Sequence, residues 1–399
     1  MAEYHFDNQV ISDTGRNRII YLDNAATTPL CAAAREAIGR LLRESFANPS
    51  SQHREGREAR SRIDAARDAV AEVFGGDYSE IYFTSGGTEA DNLALFGAMM
   101  AAPSDRNHLI VSAIEHHAVL DAARKLEKWG RKVSYLPVNR QGVVEIESLN
   151  SAITDRTALV SVMHANNEIG TIQAIEELAA VAHQYGALFH TDAVQSVSSM
   201  PIDVNRLGVD LLSFSAHKFY GPKGVGGLYV RKGIAISPLM HGGSQERELR
   251  PGTENIIGIV ALAAALKWTS AHRERDIKRI ARFRRRLEDR LEAISGVSVN
   301  AKAAGRLPGI VNISVDGVEA QSLLLRLDRM GVAASAGSAC SSGALEPSHV
   351  LLALGYNREE ASQCIRLSLG RYTTISDIEL ASDRIAEAIT AIRKTGSKI

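Results

Sequence analysis

The sequence predicts an α/β fold, with a mostly parallel β-sheet covered by helices on both faces and a smaller α+β domain after it. Short apolar segments alternate with helical segments from about residue 79 to residue 230, which is the pattern of repeated βαβ units. The chain has 399 residues, 45% of them hydrophobic and 23% charged, enough for two domains and a large core. We place the large domain at residues 19–272 and the small domain at 273–399, and we expect segment 1–27 to pack with the small domain.

The composition limits the classes of partner and the compartment. Lysine plus arginine and aspartate plus glutamate are equal at 46 each, so no bulk charge attracts the chain to nucleic acid or to a membrane. The cysteines, Cys31, Cys340 and Cys364, are far apart and lack metal-ligand spacing, which favours a reducing compartment and no bound metal. The first twenty residues lack the apolar core of a signal peptide, and no apolar run is long enough to span a bilayer. We therefore expect a cytoplasmic protein with small-molecule or protein partners.

The first strand that carries a candidate site is Ile81–Thr84, which runs into Ser-Gly-Gly87-Thr88. The helix that follows from Glu89 to Met100 would place unpaired N–H groups at this turn, an arrangement that binds anions. Neither a GK[ST] nor a GxGxxG motif is present, so the turn is not a Walker loop or a dinucleotide fingerprint. A plain helix N-cap is the structural alternative.

The next strand, His108–Ile114, ends in Glu115-His116-His117. Adjacent histidines do not easily face one metal ion, and no HExxH pattern follows. We favour a single functional histidine, His116, at the strand end, with an ordinary polar loop as the alternative.

Two further strands end in polar side chains. Thr157–His164 leads to Asn167, and Ala187–His190 leads to Asp192 and, three residues later, Gln195. The aspartate could cap a helix, or it could place a carboxylate against a ring nitrogen.

Lys218 is the candidate for binding a cofactor covalently. The buried strand Asp210–Ser215 precedes it, so Lys218 lies just beyond a strand end, where open α/β sheets bind ligands. Ser215 and His217 can hold a phosphate, and a partly desolvated amine can attack a carbonyl. A solvated surface lysine in a glycine turn is the alternative. Polar candidates thus follow five strands at one predicted sheet edge: Thr88, His116, Asn167, Asp192 and Lys218.

The remaining chain predicts the small domain. An amphipathic helix at Arg273–Ile294 includes three consecutive arginines, and the interleaved acids favour a solvated helix face over a nucleic-acid site. The strand Gly309–Val315, the helix Ala320–Met330 and the strand Val332–Ser335 follow. A loop of tiny residues then carries Cys340, which we expect to be exposed and reactive. Arg366 and Arg371 come later, and arginine binds carboxylates well.

These segments together resemble the cysteine desulfurases of the NifS/IscS type, which are pyridoxal 5′-phosphate enzymes of fold type I. The segments are YLDNAATTP, NPSSQH, FTSGGTEADN, EHHAVL, MHANNEIG, HTDAVQS, SFSAHKFYGPKG, RPGTEN, SAGSACSSG and IRLSLGRYTT. They occur in the family's order from about Tyr21 to the C-terminus. The resemblance implies a large domain with a mainly parallel seven-stranded sheet. Ala216 departs from the family, which commonly has glycine there, but no catalytic group is missing.

The resemblance also implies roles for individual residues. Lys218 would form the internal aldimine with pyridoxal 5′-phosphate, Asp192 would pair with its ring nitrogen, and His116 would stack on the ring. The phosphate site would comprise Gly87, Thr88, Ser215, His217 and, from the partner subunit of a homodimer, Thr253. Gln195 and Asn167 would bind the phenolic oxygen or the nearby substrate carboxylate, and Arg366 would bind that carboxylate.

The implied activity is conversion of L-cysteine to L-alanine, with a persulfide formed on Cys340. The sulfur would pass to an acceptor or scaffold protein for iron–sulfur cluster assembly or thiolation. The alternatives are a selenocysteine lyase, another lyase or aminotransferase of the same fold, and a sulfur carrier or scaffold that has lost catalysis. A lyase or aminotransferase would not require Cys340 in a loop of small residues.

Overall fold

The computed structural model describes residues 19–44, 46–336 and 347–396. These residues form two compact units. The larger unit comprises Thr27–Asn166 and Thr171–Arg273. The smaller unit comprises the residues up to Ala26, the short segment Asn167–Gly170, and the chain from Glu274 onward.

The strands and helices are numbered here in chain order. The strands are Ile20–Tyr21 (β1), Ile81–Thr84 (β2), His108–Ser112 (β3), Lys132–Leu136 (β4), Thr157–Ser161 (β5), Leu188–Asp192 (β6), Leu211–Ser215 (β7), Gly226–Val230 (β8), Val297–Val299 (β9), Ile310–Val315 (β10), Val332–Ala333 (β11) and Cys364–Ser368 (β12). The helices are Ala32–Glu44 (α1), Arg54–Phe74 (α2), Gly87–Ala101 (α3), His117–Lys128 (α4), Ile146–Ala152 (α5), Ile175–Gln184 (α6), Val204–Leu207 (α7), Ile256–Glu292 (α8), Ala320–Arg329 (α9), His349–Ala353 (α10), Arg358–Ser362 (α11) and Ile375–Gly396 (α12). Among these helices none is both long and apolar enough to cross a membrane.

The larger unit contains a seven-stranded sheet with the order β2-β8-β7-β6-β5-β3-β4. Strand β8 is antiparallel to both of its neighbours, and the other strands are parallel to one another. The predicted α/β fold with a mainly parallel sheet is therefore confirmed. Because the strands other than β8 run in one direction, their carboxyl ends meet at the same edge of the sheet, and the candidate site is built at that edge.

Strand β8 was not predicted, because its first two residues are glycines, which are typical of a turn. A Cβ on Gly226 would lie 2.5 Å from the carbonyl oxygen of Phe214, and one on Gly227 would lie 2.3 Å from Phe214 Cζ. Glycine is therefore required where β8 passes Phe214 of β7. Strand β4 was also missed, since most of its side chains are at least partly exposed and it gives no continuous apolar run.

Helix α3 covers the larger sheet and is apolar on most of its surface. Leu93 and Met99 of α3 pack in one cluster with Leu109 and Val111 of β3 and with Leu120 of α4. Burying each of these side chains stabilises the fold by roughly 1.5–3 kcal/mol. This core fixes the start of α3 beside the carboxyl ends of the strands.

The smaller unit contains an antiparallel sheet, β12-β10-β9, and a parallel pair, β1-β11. Its core includes the apolar stripe of α8 that the sequence predicted, with Phe283 and Leu287 buried. The predicted start of this helix at Arg273 was wrong, because α8 begins at Ile256. Its first half is strongly apolar, and it lacks the amphipathic spacing on which the prediction depended.

Candidate active site

The structure brings several of the predicted residues to one edge of the larger sheet. Asp192 is the last residue of β6, and Ser215 is the last residue of β7. These strands are paired in parallel, with Asp192 opposite Ser213. A single 3₁₀ turn, Ala216–Lys218, continues from β7 and carries Lys218.

Asp192 is a buried carboxylate with Lys218 as its electrostatic partner. Its Oδ1 accepts a hydrogen bond of 2.8 Å from the Val194 N–H. Burial raises the pKa of the Asp192 carboxyl to about 6, while the Val194 N–H and the positive charge of Lys218 act against that rise. At neutral pH the carboxyl can therefore carry the negative charge that a cationic ring nitrogen requires.

A hydrogen-bonded layer lies beside Asp192 and involves Asp91 of α3. His190 bonds through Nδ1 to Ser161 Oγ at 2.8 Å and through Nε2 to Ser213 Oγ at 3.0 Å. Asp91 Oδ1 is 3.7 Å from His190 Nε2. Burial lowers the pKa of His190 to about 3, and burial together with the charge of Asp192 raises the pKa of Asp91 well above its ordinary value. The histidine ring is therefore neutral at physiological pH.

Glu115 is a third buried carboxyl in this region. Its Oε1 accepts hydrogen bonds from the Ser112 hydroxyl and, at 2.8 Å, from the Met163 N–H. Burial, with a smaller contribution from the charge of Asp192, raises the pKa of Glu115 to about 8. Asp192 therefore ionises at lower pH than Glu115. No role was predicted for Asp91 or Glu115, although both lie in the motifs that carry the family resemblance.

Two threonines of the NAATTP segment brace the turn that carries Lys218. Thr28 Oγ1 donates to the His217 carbonyl at 2.8 Å and accepts from the Tyr220 N–H at 2.8 Å, and Thr27 Oγ1 is 3.2 Å from His217 Nδ1. Burial and the neighbouring lysine charges lower the pKa of His217 to about 4, so its ring is neutral. Tyr220 has a φ of 70°, a strained value for a residue with a side chain. The paired threonines are visible in the sequence, but the sequence does not show that they contact the turn of Lys218.

The start of α3 has the features of an anion site. Its N-cap is Gly86, which has no side chain to occupy the helix end, and Ser215 Oγ lies 3.8 Å from the position that a Cβ on Gly86 would take. A Cβ on Gly87 would lie 2.7 Å from Val194 Cγ2, so glycine allows the helix start to approach the segment after Asp192. Thr88 is exposed in the first turn. The predicted phosphate residues Gly87, Thr88 and Ser215 are thus at one helix N-terminus.

His116 and Gln195 follow strands β3 and β6 at this same edge. His116 caps α4 by accepting a hydrogen bond at Nδ1 from the Ala118 N–H, at 3.1 Å. Gln195 Oε1 is buried and has no hydrogen-bond partner among the residues that the structure describes. Buried polar atoms without partners are rare in proteins, and a bound ligand would satisfy this one.

The predicted substrate-binding residues belong to the smaller unit. Arg366 of β12 is only 2% exposed, and its Nη1 donates to the Asn167 carbonyl at 2.9 Å. Thr253 belongs to the larger unit and is exposed shortly before α8. Cys340 lies outside the described residues.

The sequence pattern of the family described as Aminotransferase class-V matches residues 20–380. The chain belongs to this family.

The chain is 49% identical over 380 residues to the cysteine desulfurase IscS of Dictyoglomus turgidum, with 94% of this chain and 96% of that protein covered. It is 44% identical over 393 residues to the cysteine desulfurase IscS of Methanosarcina thermophila, with 98% and 97% covered. A solved structure described as a NifS-like protein matches with a TM-score of 0.88 and 37% identity, over 93% of this chain and 99% of that one. Within the family, the chain belongs to the cysteine desulfurases, and the predicted resemblance is confirmed.

The cofactor of this family is pyridoxal 5′-phosphate, and the residues of the larger unit fit it. Asp192 offers a buried carboxylate for the ring nitrogen, and Lys218 offers an amine for the aldehyde. The N-terminus of α3 suits the phosphate. The Gln195 Oε1 has no hydrogen-bond partner within the described part of the chain. The donor set therefore matches the cofactor's charges and functional groups.

Proposed function

We propose that this cysteine desulfurase converts L-cysteine to L-alanine and transfers the sulfur through a persulfide on Cys340. The observation that carries the proposal is the placement of the buried Asp192 carboxylate and Lys218 at the ends of two neighbouring parallel strands. The close relatives named cysteine desulfurase support the choice of substrate.

Lys218 and Asp192 have separate tasks in this proposal. Lys218 would hold the cofactor through its Nζ at the aldehyde, and the same Nζ, when free, is the base that takes the α-proton of the substrate. Asp192, whose Oδ1 is oriented by the Val194 N–H, would hold the ring nitrogen of the cofactor through its negative charge. Pyridoxal 5′-phosphate, when bound, supplies an electron sink for the negative charge that develops at the α-carbon. His116 would stack on the cofactor ring and assist proton movement.

Arg366 and Asn167 bind the substrate carboxylate in this proposal, and Gln195 binds the phenolic oxygen. The Cys340 thiolate attacks the substrate sulfur, so that a sulfur–sulfur bond forms while the carbon–sulfur bond breaks. The three-carbon remainder takes up one proton at Cβ, regains a proton at the α-carbon from Lys218 Nζ, and leaves as L-alanine. The second sulfur atom stays on Cys340 until an acceptor thiolate removes it.

The proposal includes partners that follow from the family resemblance. A homodimer would complete each phosphate site with Thr253 of the other copy, and the exposure of Thr253 allows this contact. The sulfur acceptor would be a scaffold or carrier protein for iron–sulfur cluster assembly or thiolation. The cytoplasm is the proposed compartment.

An assay of alanine and sulfide released from L-cysteine in the presence of a thiol reductant tests this function. We expect both products in equal amounts from the wild-type enzyme. Lys218→Ala should lose the absorbance of the bound cofactor, whereas Cys340→Ala should keep that absorbance and release neither product. Continued alanine formation by Cys340→Ala would contradict the proposal.

A further inference from the structure

The arginine proposed to bind the substrate carboxylate already contacts a carboxylate of its own chain. Arg366 Nη2 donates to Asp23 Oδ1 at 2.9 Å, and the side chains of Arg366 and Asp23 are 2% and 22% exposed. An ion pair with one fully buried partner is weakly screened by solvent and salt. Asp23 therefore contributes substantially to the electrostatic environment of Arg366.

The backbone holds Asp23 in place beside Arg366. The Leu22 N–H donates to the Ala333 carbonyl at 2.9 Å, and the Leu22 carbonyl accepts from the Ser368 N–H at 2.6 Å. Asp23 itself forms a parallel bridge with Ser368, two residues beyond Arg366. The aspartate is thus fixed between β11 and β12 by main-chain hydrogen bonds.

A tyrosine next to this pair responds to both charges. The Tyr21 hydroxyl donates to the Asp23 carbonyl at 3.0 Å. Burial, followed by the charge of Asp23, raises the pKa of Tyr21 to about 12, while Arg366 acts in the opposite direction. The three side chains form one electrostatic group in the smaller unit.

We propose that Asp23 is a positioning residue that orients the Arg366 guanidinium and offsets part of its charge. This inference rests on the proposed role of Arg366 in binding the substrate carboxylate. A ligand carboxylate at the guanidinium is attracted by Arg366 and repelled by Asp23. Asp23 therefore limits the affinity for amino-acid carboxylates, and this limit allows L-alanine to leave after each turnover.

The test is the binding of L-alanine to the holoenzyme, followed by the absorbance of the bound cofactor. Asp23→Asn keeps an oxygen acceptor for Arg366 but removes the negative charge, and we expect it to bind L-alanine about tenfold more tightly than the wild type. Alaninamide, which has no carboxylate, should bind both proteins equally. Wild-type or weaker affinity of Asp23→Asn for L-alanine would overturn the inference.

Asp23→Ala separates orientation from charge, because it also removes the hydrogen-bond acceptor. We expect it to bind L-alanine more weakly than Asp23→Asn does. Equal affinity of these two variants would overturn the positioning role. The cofactor absorbance itself reports that each variant is folded and loaded.

Asp276→Asn is a matched control, since Asp276 is a buried carboxyl paired with Arg371 in the same unit. This replacement should leave the affinity for L-alanine unchanged. A tenfold gain in the L-alanine affinity of Asp276→Asn would show that the effect of Asp23→Asn is not specific. Arg366→Gln distinguishes the two proposals. If Arg366→Gln binds L-alanine as tightly as the wild type does, the proposed role of Arg366 is refuted. If Arg366→Gln loses L-alanine binding but Asp23→Asn keeps the wild-type affinity, only the inference about Asp23 is refuted.

Discussion

Replacement of Glu115 by glutamine provides a sharp test of the buried carboxyl layer beside Asp192. Glutamine keeps an oxygen that can accept the bonds from Ser112 and Met163. It resembles the protonated carboxyl in shape and charge. In the wild type, the pKa of Glu115 is about 8, whereas an unfolded glutamate has a pKa of about 4.3.

The sign of the pH dependence follows from this difference. Because the pKa of the folded state is raised, the contribution of Glu115 to stability is fully present below about pH 4.3 and is lost as the pH rises to about 8. The loss is about 1.4 kcal/mol per pH unit, or about 4 kcal/mol between pH 5 and pH 8. Glu115→Gln lacks this loss, so its stability relative to the wild type should increase with pH.

Urea unfolding of both proteins at several pH values, with saturating cofactor, measures the effect. The other buried carboxyls contribute to both proteins and cancel in the comparison. Glu147→Gln is a suitable control, because Glu147 is exposed on α5 and its replacement should give no pH-dependent difference. If the free energies of unfolding of the wild type and Glu115→Gln change in parallel with pH, the assignment of Glu115 as a buried neutral acid is refuted.

The remaining predictions concern the cofactor site and the packing of its support. Asp192→Asn removes the charge that we propose faces the ring nitrogen, so pyridoxal 5′-phosphate affinity should fall about 10- to 100-fold in equilibrium dialysis. Unchanged affinity would exclude Asp192 as the partner of that nitrogen. Thr28→Val removes two hydrogen bonds at the turn of Lys218, so it should lower the free energy of unfolding by about 1–3 kcal/mol. A variant as stable as the wild type would show that the turn does not depend on Thr28. Gly227→Ala places a Cβ 2.3 Å from Phe214 Cζ and should destabilise the enzyme by about 1–3 kcal/mol in urea; a neutral effect would mean that β8 can move away from β7.

The central part of the sheet and the edge that carries the candidate site could be predicted because strands β3, β5, β6 and β7 are largely buried and mainly apolar. Polar residues at or just beyond the ends of such strands, as at Asp192 and Lys218, are conspicuous in the sequence. Strand β8 could not be recognised in the same way, since Gly226 and Gly227 are selected by their contact with Phe214 and not by strand propensity. Long-range packing of this kind leaves no local pattern.

The network around the site was less predictable than its principal residues. Asp91 lies one turn inside α3, and in the sequence it is only a polar residue within an apolar helix. Its proximity to His190 depends on the packing of α3 on the sheet. Asp23 and Arg366 are more than three hundred residues apart, and the strand pairing of the N-terminal segment brings them together. Such contacts require the tertiary structure.

The most direct test of the desulfurase assignment is the mass of the protein after brief exposure to L-cysteine without reductant. We expect the peptide that contains Cys340 to gain one sulfur atom, with one molecule of L-alanine released for each sulfur bound. Cys31 and Cys364 are buried and serve as internal controls that should remain unmodified. Alanine formation without added sulfur on Cys340, or sulfur on Cys31 or Cys364 instead, would contradict the account.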